Sequence, residues 1–340
     1  FLIFIMCLTW LVLAVFANAI ANLFTTVIKE GDTIISDYRT AIIPVNIEII
    51  VAIIMGYIIY KKKINALVPS IIALGLLYFF VWIGKDNPID LVKFGFQDPK
   101  HTWVILLFIY SSIASLIPVW ILLQPRDYIN SHQLIVGLSL IFISIFIVQP
   151  DIIAPAITNI DSGPPIIPFL FVTIACGAIS GFHGLVSSGT TSKQVNKMKE
   201  ARLIGYGATL GEGSLALAAT ISAVAGLSFV SRDCMPWSSC STFANAKSGA
   251  LGNFIEGSSA LLQQIGFSTP LATTLIVVLV VSFAATTLDS ATRIQRYIIT
   301  EFGAATKIKL LENKYIATLI SVIPAYFITV NDSLRNELWQ

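Results

Sequence analysis

Residues 271–292 read LATTLIVVLVVSFAATTLDSAT, an apolar run in which Asp289 is the one charged residue. Its length is close to the ~20 residues that a helix needs to cross the hydrocarbon core of a membrane. Stretches of similar character recur along the chain, and the short loops between them carry most of the charge. The sequence therefore predicts an all-α, polytopic bundle of about nine transmembrane helices. The predicted spans are 1–28, 41–60, 64–84, 103–124, 133–149, 166–188, 203–227, 271–292 and 315–331.

Composition also indicates a membrane protein. Hydrophobic residues make up 56% of the 340 residues and charged residues 12%, whereas a soluble domain has about 25% charged residues. The net charge is +2 and no basic run suggests nucleic-acid binding, so no nucleic-acid partner is expected. The sequence contains no phosphate-binding GxxxxGK[ST] loop, HExxH motif or nucleophile elbow. We therefore expect no ATP hydrolysis, no metal site, no cofactor and no enzymatic activity.

The loop charges predict an orientation. If the spans alternate across the membrane, one set of loops holds thirteen Lys and Arg residues and the opposite set holds eight. The set with more Lys and Arg should face the cytoplasm, which places the N-terminal end of this sequence there. The protein is expected to lie in the cell (inner) membrane. Because the chain starts at Phe1 without a charged leader, we expect it to be a piece of a longer protein.

One transmembrane domain, 1–340, is predicted, and its largest extracytoplasmic loop is 228–270. This loop contains an amphipathic stretch at 251–265 that either lies on the surface or dips partly inward. Cys234 and Cys240 fall in the same loop. On the oxidising side of the membrane the sequence allows either a disulfide or two free thiols there.

A segment rich in glycine and hydroxyl groups follows Pro164. It contains ACGAISGFHGLVSSGTT at 175–191, where the small residues recur at a spacing that allows a neighbouring helix to pack closely. Tight packing alone explains this spacing, but hydroxyls and unwound backbone at its end could also ligate an ion or a carboxylate. The predicted helix breaks are Gly177, Gly181, Gly184 and Gly189. The predicted ligands are Ser187, Ser188, Thr190 and His183, with a packing role as the alternative for His183.

The next predicted helix carries an acid among glycines. The run ARLIGYGATLGEG at 201–213 contains Glu212, which lies inside an apolar span. Ionisable groups at such positions are costly, and they are functional by default. We expect Glu212 to couple protons or substrate, with a glutamate at the lipid interface as the alternative. Helix breaks are predicted at Gly205, Gly207, Gly211 and Gly213.

Two further segments place charge beside the apolar runs. In TTLDSATR at 286–293, polar residues three and four apart share one helix face. Either an ion or substrate site or a structural Asp289–Arg293 pair explains this face. The predicted ligands there are Thr286, Thr287, Asp289 and Ser290. In QPRDYIN at 124–130, Pro125 is predicted to end or kink the fourth helix. The predicted gate at this cytoplasmic mouth is Arg126, Asp127 and Arg293, and Glu48 is interpreted as an interfacial residue.

These segments resemble the carbon starvation protein A family of bacterial and archaeal inner-membrane transporters. The resemblance rests on QPRDYIN at 124–130, PFLFVTIACGAISGFHGLVSSGTTSK at 168–193, ARLIGYGATLGEG at 201–213 and TTLDSATRIQRYII at 286–299. It implies a secondary transporter with inverted repeats and broken helices, which imports small peptides or pyruvate with protons during carbon starvation. It also implies further helices before and after this sequence.

The function predicted from the sequence is thus a symporter driven by H⁺ or Na⁺. Glu212 and Asp289 would supply the titratable or cation-binding charge. The alternative is a proton-conducting or redox subunit of a membrane complex, in which buried acids and His183 form a relay. The oligomeric state is not predicted.

Overall fold

The computed structural model describes residues 2–30, 33–62, 64–156, 166–179, 181–189, 191–230, 234–238 and 249–331. Over these residues the chain forms twelve α-helices and one antiparallel β-hairpin. The hairpin strands are β1 (Val27–Glu30) and β2 (Thr33–Asp37). The helices are α1 (Leu2–Leu23), α2 (Ile42–Lys62), α3 (Leu67–Gly84), α4 (Pro99–Leu116), α5 (Leu123–Val148), α6 (Ile166–Ile179), α7 (Gly181–Gly189), α8 (Met198–Val224), α9 (Ala250–Gln264), α10 (Thr269–Thr306), α11 (Lys309–Glu312) and α12 (Lys314–Val330).

Six helical segments in the described part of the chain are long and apolar enough to cross a membrane. They contain α1, α2, α3, α5, α8 and α10. The other three predicted spans overlap α4, of 18 residues, α12, of 17 residues, and the pair α6 and α7. The helical membrane bundle is therefore confirmed, whereas the count of nine spans stays a prediction.

The chain divides into two compact units. Unit 1 consists of Phe1–Leu134 and Val277–Gln340, and unit 2 of Ile135–Ile276. In unit 1, α1 packs against α4 and α12, and α2 packs against α3. Small buried side chains, among them Ala14, Ala17 and Ala317, line these contacts. Such residues allow helix backbones to approach closely. Close packing matters in a bilayer because the lipid tails are as apolar as the side chains, so no hydrophobic effect drives the helices together.

In unit 2 the predicted amphipathic stretch forms α9, which packs against α8. The contact depends on Gly257, where an added Cβ would lie 2.0 Å from the carbonyl oxygen of Ser222. Beside it the hydroxyl of Ser258 donates to that of Ser222 at 3.0 Å. Ile255 and Leu261 are buried as well, so this stretch belongs to the core of unit 2 and not to its surface.

Several predicted boundaries differ from the structure. The helix predicted to end at 292 continues to Thr306, and the polar residues Arg293, Gln295 and Arg296 just beyond the predicted end are buried. Helix α4 ends at Leu116, and Pro125 lies in the first turn of α5 rather than at the end of the preceding helix. That position suits proline because the first turn of a helix leaves its backbone N–H groups unpaired.

The predicted helix breaks are only partly present. Helix α8 runs unbroken through the four glycines Gly205, Gly207, Gly211 and Gly213. The break predictions at these positions are therefore wrong: an isolated glycine costs a helix only about 1 kcal/mol. Gly181 and Gly189 lie at the ends of α7, while Gly177 and Gly184 lie inside α6 and α7.

The cysteines of the 228–270 loop are only partly described. Cys234 is disulfide-bonded, and Cys240 lies outside the described residues.

Candidate functional site

A cluster of charged and polar side chains is buried inside unit 1. Its members come from α2, α4, α5 and α10, and we call it the Arg126 cluster: Glu48, Tyr110, Arg126, Ser282 and Asp289. Arg126 is 0% exposed, Asp289 1% and Glu48 2%. Charges at such depth must be paired, because removing an ion from water costs several kcal/mol.

The guanidinium of Arg126 joins the two carboxylates. Its Nε donates to Oε1 of Glu48 at 3.1 Å, and its Nη1 donates to Oδ2 of Asp289 at 3.1 Å. Nη1 also donates to the hydroxyl of Tyr110 at 2.8 Å, and this hydroxyl in turn donates to Oδ2 of Asp289 at 2.8 Å. The hydroxyl of Ser282 donates to Oε2 of Glu48 at 2.5 Å.

The helices present these side chains through ordinary helical spacing. On α2 the buried stripe includes Val45, Glu48 and Ala52, three and four residues apart. On α10, Ser282 and Asp289 are seven residues apart and both buried. The backbone of α2 comes close to the start of α5 at Gly56, where an added Cβ would lie 2.6 Å from the carbonyl oxygen of Ile121.

Two polar atoms in the cluster have no hydrogen-bond partner among the described residues. They are Nη2 of Arg126 and Oδ1 of Asp289, a donor and an acceptor. A buried polar group without a partner costs about 1–3 kcal/mol. Because one member is a guanidinium and the other a carboxylate, the cluster has the chemistry to bind a carboxylate at the donor and a proton or cation at the acceptor.

Arg293, next along α10, binds backbone and not a carboxylate. Its Nη2 donates to the carbonyl oxygens of Ala114 at 2.7 Å and Ile117 at 2.6 Å. These carbonyls end α4, where the last turn leaves acceptors unpaired and the helix dipole favours a cation. In the part of the chain that the structure describes, Asp289 therefore pairs with Arg126, and the alternative Asp289–Arg293 pair is not formed.

The remaining predicted ligands on α10 lie beside the cluster without joining it. The hydroxyls of Thr286 and Thr287 donate to the carbonyl oxygen of Phe283, one turn earlier in the same helix. Both residues and Ser290 are half-buried. At the predicted gate, Arg126 is buried and Asp127 is exposed.

The other predicted site residues belong to unit 2. Glu212 is exposed on α8. Ser187 and Ser188 are exposed on α7, and their hydroxyls donate to the backbone of Gly184 and Leu185. His183 lies in α7, but its side chain is outside the described set, and Thr190 is outside the described residues altogether. Their roles stay predictions.

Sequence reasoning did not predict three members of the Arg126 cluster as site residues: Glu48, Tyr110 and Ser282. Glu48 is an acid inside an apolar span, so the argument applied to Glu212 would have identified it. Tyr110 gave no such signal, because tyrosines in apolar helices also occur in protein cores and at membrane interfaces without a functional role.

The fold and the cluster together define a multi-pass membrane protein with a charged site buried among its helices. The family described as "Carbon starvation protein CstA" matches residues 1–232 and 237–339. The chain belongs to this family.

Three relatives are each 39% identical to part of the chain. The "Peptide transporter CstA" of Helicobacter pylori matches over 183 residues, which are 51% of this chain and 26% of the relative. The protein of the same name from Bacillus subtilis matches over 185 residues, 52% and 31%. The "Pyruvate/proton symporter BtsT" of Escherichia coli matches over 166 residues, 45% and 22%. The chain thus aligns with less than a third of each relative, and no solved structure matches it.

Proposed function

We propose that this chain is part of a secondary transporter that imports a small carboxylate, such as pyruvate or a small peptide, together with protons across the inner membrane. The observation that carries the proposal is the buried guanidinium of Arg126, whose Nη2 has no partner among the described residues. Arginine binds carboxylates through two parallel hydrogen bonds, and it keeps its charge when buried.

The substrates in the names of the relatives share one group. Peptides and pyruvate both carry a carboxylate, and the relatives are named as transporters of these compounds. A site built around a guanidinium would recognise that shared group, and contacts to the rest of the substrate would select between the two.

For the coupling ion we propose H⁺, with Na⁺ as the alternative. Proton coupling is supported by the name of one relative and by the carboxylates in the buried cluster. Asp289 is the first candidate for the titrating group in unit 1, and Glu212 is the candidate in unit 2. Arg293 would take part in gating by holding the end of α4, since its contacts with Ala114 and Ile117 tie α10 to that end.

We further propose a finer architecture. The apolar runs predict nine spans, the loop charges predict an N-terminal end in the cytoplasm, and the family resemblance implies inverted repeats.

The experiment that tests this function uses the full-length protein in proteoliposomes. Labelled pyruvate and labelled dialanine are supplied, first with an inward pH gradient and then with a sodium gradient. We expect accumulation of at least one substrate under the pH gradient, and we expect a protonophore to abolish it. Absence of uptake under both gradients by correctly folded protein would contradict the proposal. It would favour the alternative function, a proton-conducting or redox subunit of a membrane complex.

The role of the guanidinium has its own matched variants. Arg126→Gln should abolish uptake, because it removes the charge that binds the carboxylate. Arg126→Lys keeps the charge but loses the planar fork, so we expect weak residual uptake with a raised KM. Full uptake by both variants would show that the substrate binds elsewhere.

A further inference from the structure

We propose that the two carboxylates of the Arg126 cluster have different tasks: Glu48 is the fixed counter-ion of Arg126, and Asp289 accepts one proton when a substrate carboxylate displaces it from Nη1. This inference rests on the proposed function, and it assigns the coupling step within that site. Neither the family resemblance nor the names of the relatives assigns a role to Glu48.

The difference between the two acids lies in their oxygen atoms. Both oxygens of Glu48 are hydrogen-bonded, Oε1 to Arg126 and Oε2 to Ser282. In Asp289, Oδ2 accepts from Arg126 and Tyr110, while Oδ1 has no partner among the described residues. A proton can therefore bind Oδ1 of Asp289 at an atom that accepts no hydrogen bond from the described residues, whereas a proton on Glu48 would have to share an oxygen that already accepts one.

Arg126 has a matching asymmetry. Its Nε is held by Glu48, and its Nη2 has no hydrogen-bond partner in the described part of the chain. The two N–H groups of Nη1 donate to Oδ2 of Asp289 and to the hydroxyl of Tyr110. A substrate carboxylate that binds in the two-bond geometry across Nη1 and Nη2 needs one of them, and in this proposal it takes the one that Asp289 holds. Protonation of Asp289 weakens its contact with Nη1, since a neutral carboxyl group attracts the guanidinium less than a carboxylate does.

The charge balance favours simultaneous entry of anion and proton. The charged and titratable groups around Asp289 are Glu48 from α2, Tyr110 from α4, Arg126 and Asp127 from α5, and Arg293 from α10. An anion that enters alone adds one uncompensated negative charge to this buried site, which is costly in a medium of low dielectric constant. An anion and a proton together leave the net charge unchanged.

The mechanism sets a stoichiometry and a linkage. One proton from water forms an O–H bond at Oδ1 of Asp289 for each carboxylate bound, and it is released when the substrate leaves. By reciprocity, substrate binding and proton binding strengthen each other by the same factor. The apparent Kd for a monoanionic substrate should therefore rise by up to about tenfold per pH unit, over the range in which Asp289 is ionised without substrate and protonated with it.

The test measures proton uptake on binding, with purified full-length protein in detergent and a weakly buffered pH indicator. The probes are pyruvate and N-acetyl-dialanine, which carry one carboxylate and no amine. We expect the wild type to take up close to one proton per anion bound. The control variant Glu301→Gln, which changes an exposed acid on the same helix, should take up the same number. We expect no proton uptake by Asp289→Asn, and a Kd that changes less than about twofold between pH 6 and pH 8.

The outcomes separate this inference from the proposed function. If the wild type accumulates neither pyruvate nor dialanine in proteoliposomes, the proposed function fails. If it does accumulate one of them, yet binds the anions without taking up a proton or binds neither anion, the inference alone is overturned. Proton uptake retained by folded Asp289→Asn would also overturn it. Should Asp289→Asn not fold, the wild-type proton count still decides.

Discussion

Glu48 and Asp289 bind the same guanidinium, with Oε1 of Glu48 3.1 Å from Nε of Arg126 and Oδ2 of Asp289 3.1 Å from its Nη1. The two acids belong to α2 and α10, so one arginine on α5 holds three helices of unit 1 together. Ion pairs of this kind are poor sources of net stability compared with apolar packing, but breaking them is costly. Their presence in an apolar bundle therefore indicates function.

Removal of one carboxylate should destabilise unit 1. We expect Glu48→Ala to lower the free energy of unfolding by about 3–5 kcal/mol, because it leaves a buried guanidinium short of a partner. Thermal unfolding of the purified protein in detergent measures the change. The control is Glu301→Ala on the exposed face of α10, which should cost less than about 0.5 kcal/mol. Equal melting temperatures for the two variants would show that Glu48 contributes no more than a surface acid.

The close approach of α2 to the start of α5 should depend on Gly56. An added Cβ there would lie 2.6 Å from the carbonyl oxygen of Ile121 and 2.9 Å from Cγ of Pro125. We expect Gly56→Ala to cost about 1–3 kcal/mol, as overpacking does in well-packed cores, and to reduce uptake by displacing Arg126. Gly75→Ala is the control, because no atom of the described residues lies within 4 Å of its added Cβ. It should be neutral or slightly stabilising. A neutral Gly56→Ala would contradict the packing described.

The sequence predicted the architecture better than it predicted the site. Apolar runs of membrane-spanning length identify a helical bundle because every backbone group must be paired inside the bilayer. The partners of Arg126 could not be predicted in this way, since Glu48 and Asp289 are far apart in the chain and helical periodicity relates only residues on one helix. The prediction that Pro125 ends a helix failed for a similar reason: proline also suits the first turn of a new helix.

Asp289 and Arg293 should act independently, although they are four residues apart on one helix. Asp289 pairs with Arg126, whereas Arg293 binds the carbonyl oxygens of Ala114 and Ile117. Loss of Arg293 leaves those acceptors without a donor, at about 1–3 kcal/mol. We therefore expect the stability losses of Asp289→Asn and Arg293→Gln to add in the double variant, as measured by thermal unfolding. A double variant more stable than either single variant would show that the two side chains form a pair.

The orientation can be checked with two positions on opposite sides of α3. Lys62 ends α2 and belongs to the set of loops rich in cations, whereas Lys93 lies in the connection between α3 and α4, on the poorer side. Both side chains are exposed, so a cysteine at either position should react wherever the reagent has access. In intact cells we expect a membrane-impermeant maleimide to label Lys93→Cys and to leave Lys62→Cys unlabelled until the cells are opened, because loops rich in lysine and arginine stay in the cytoplasm. Cys7 and Cys176 are replaced by serine in both variants, and this parent protein supplies the background signal. Labelling in the reverse order would place the N-terminal end of the sequence outside the cytoplasm.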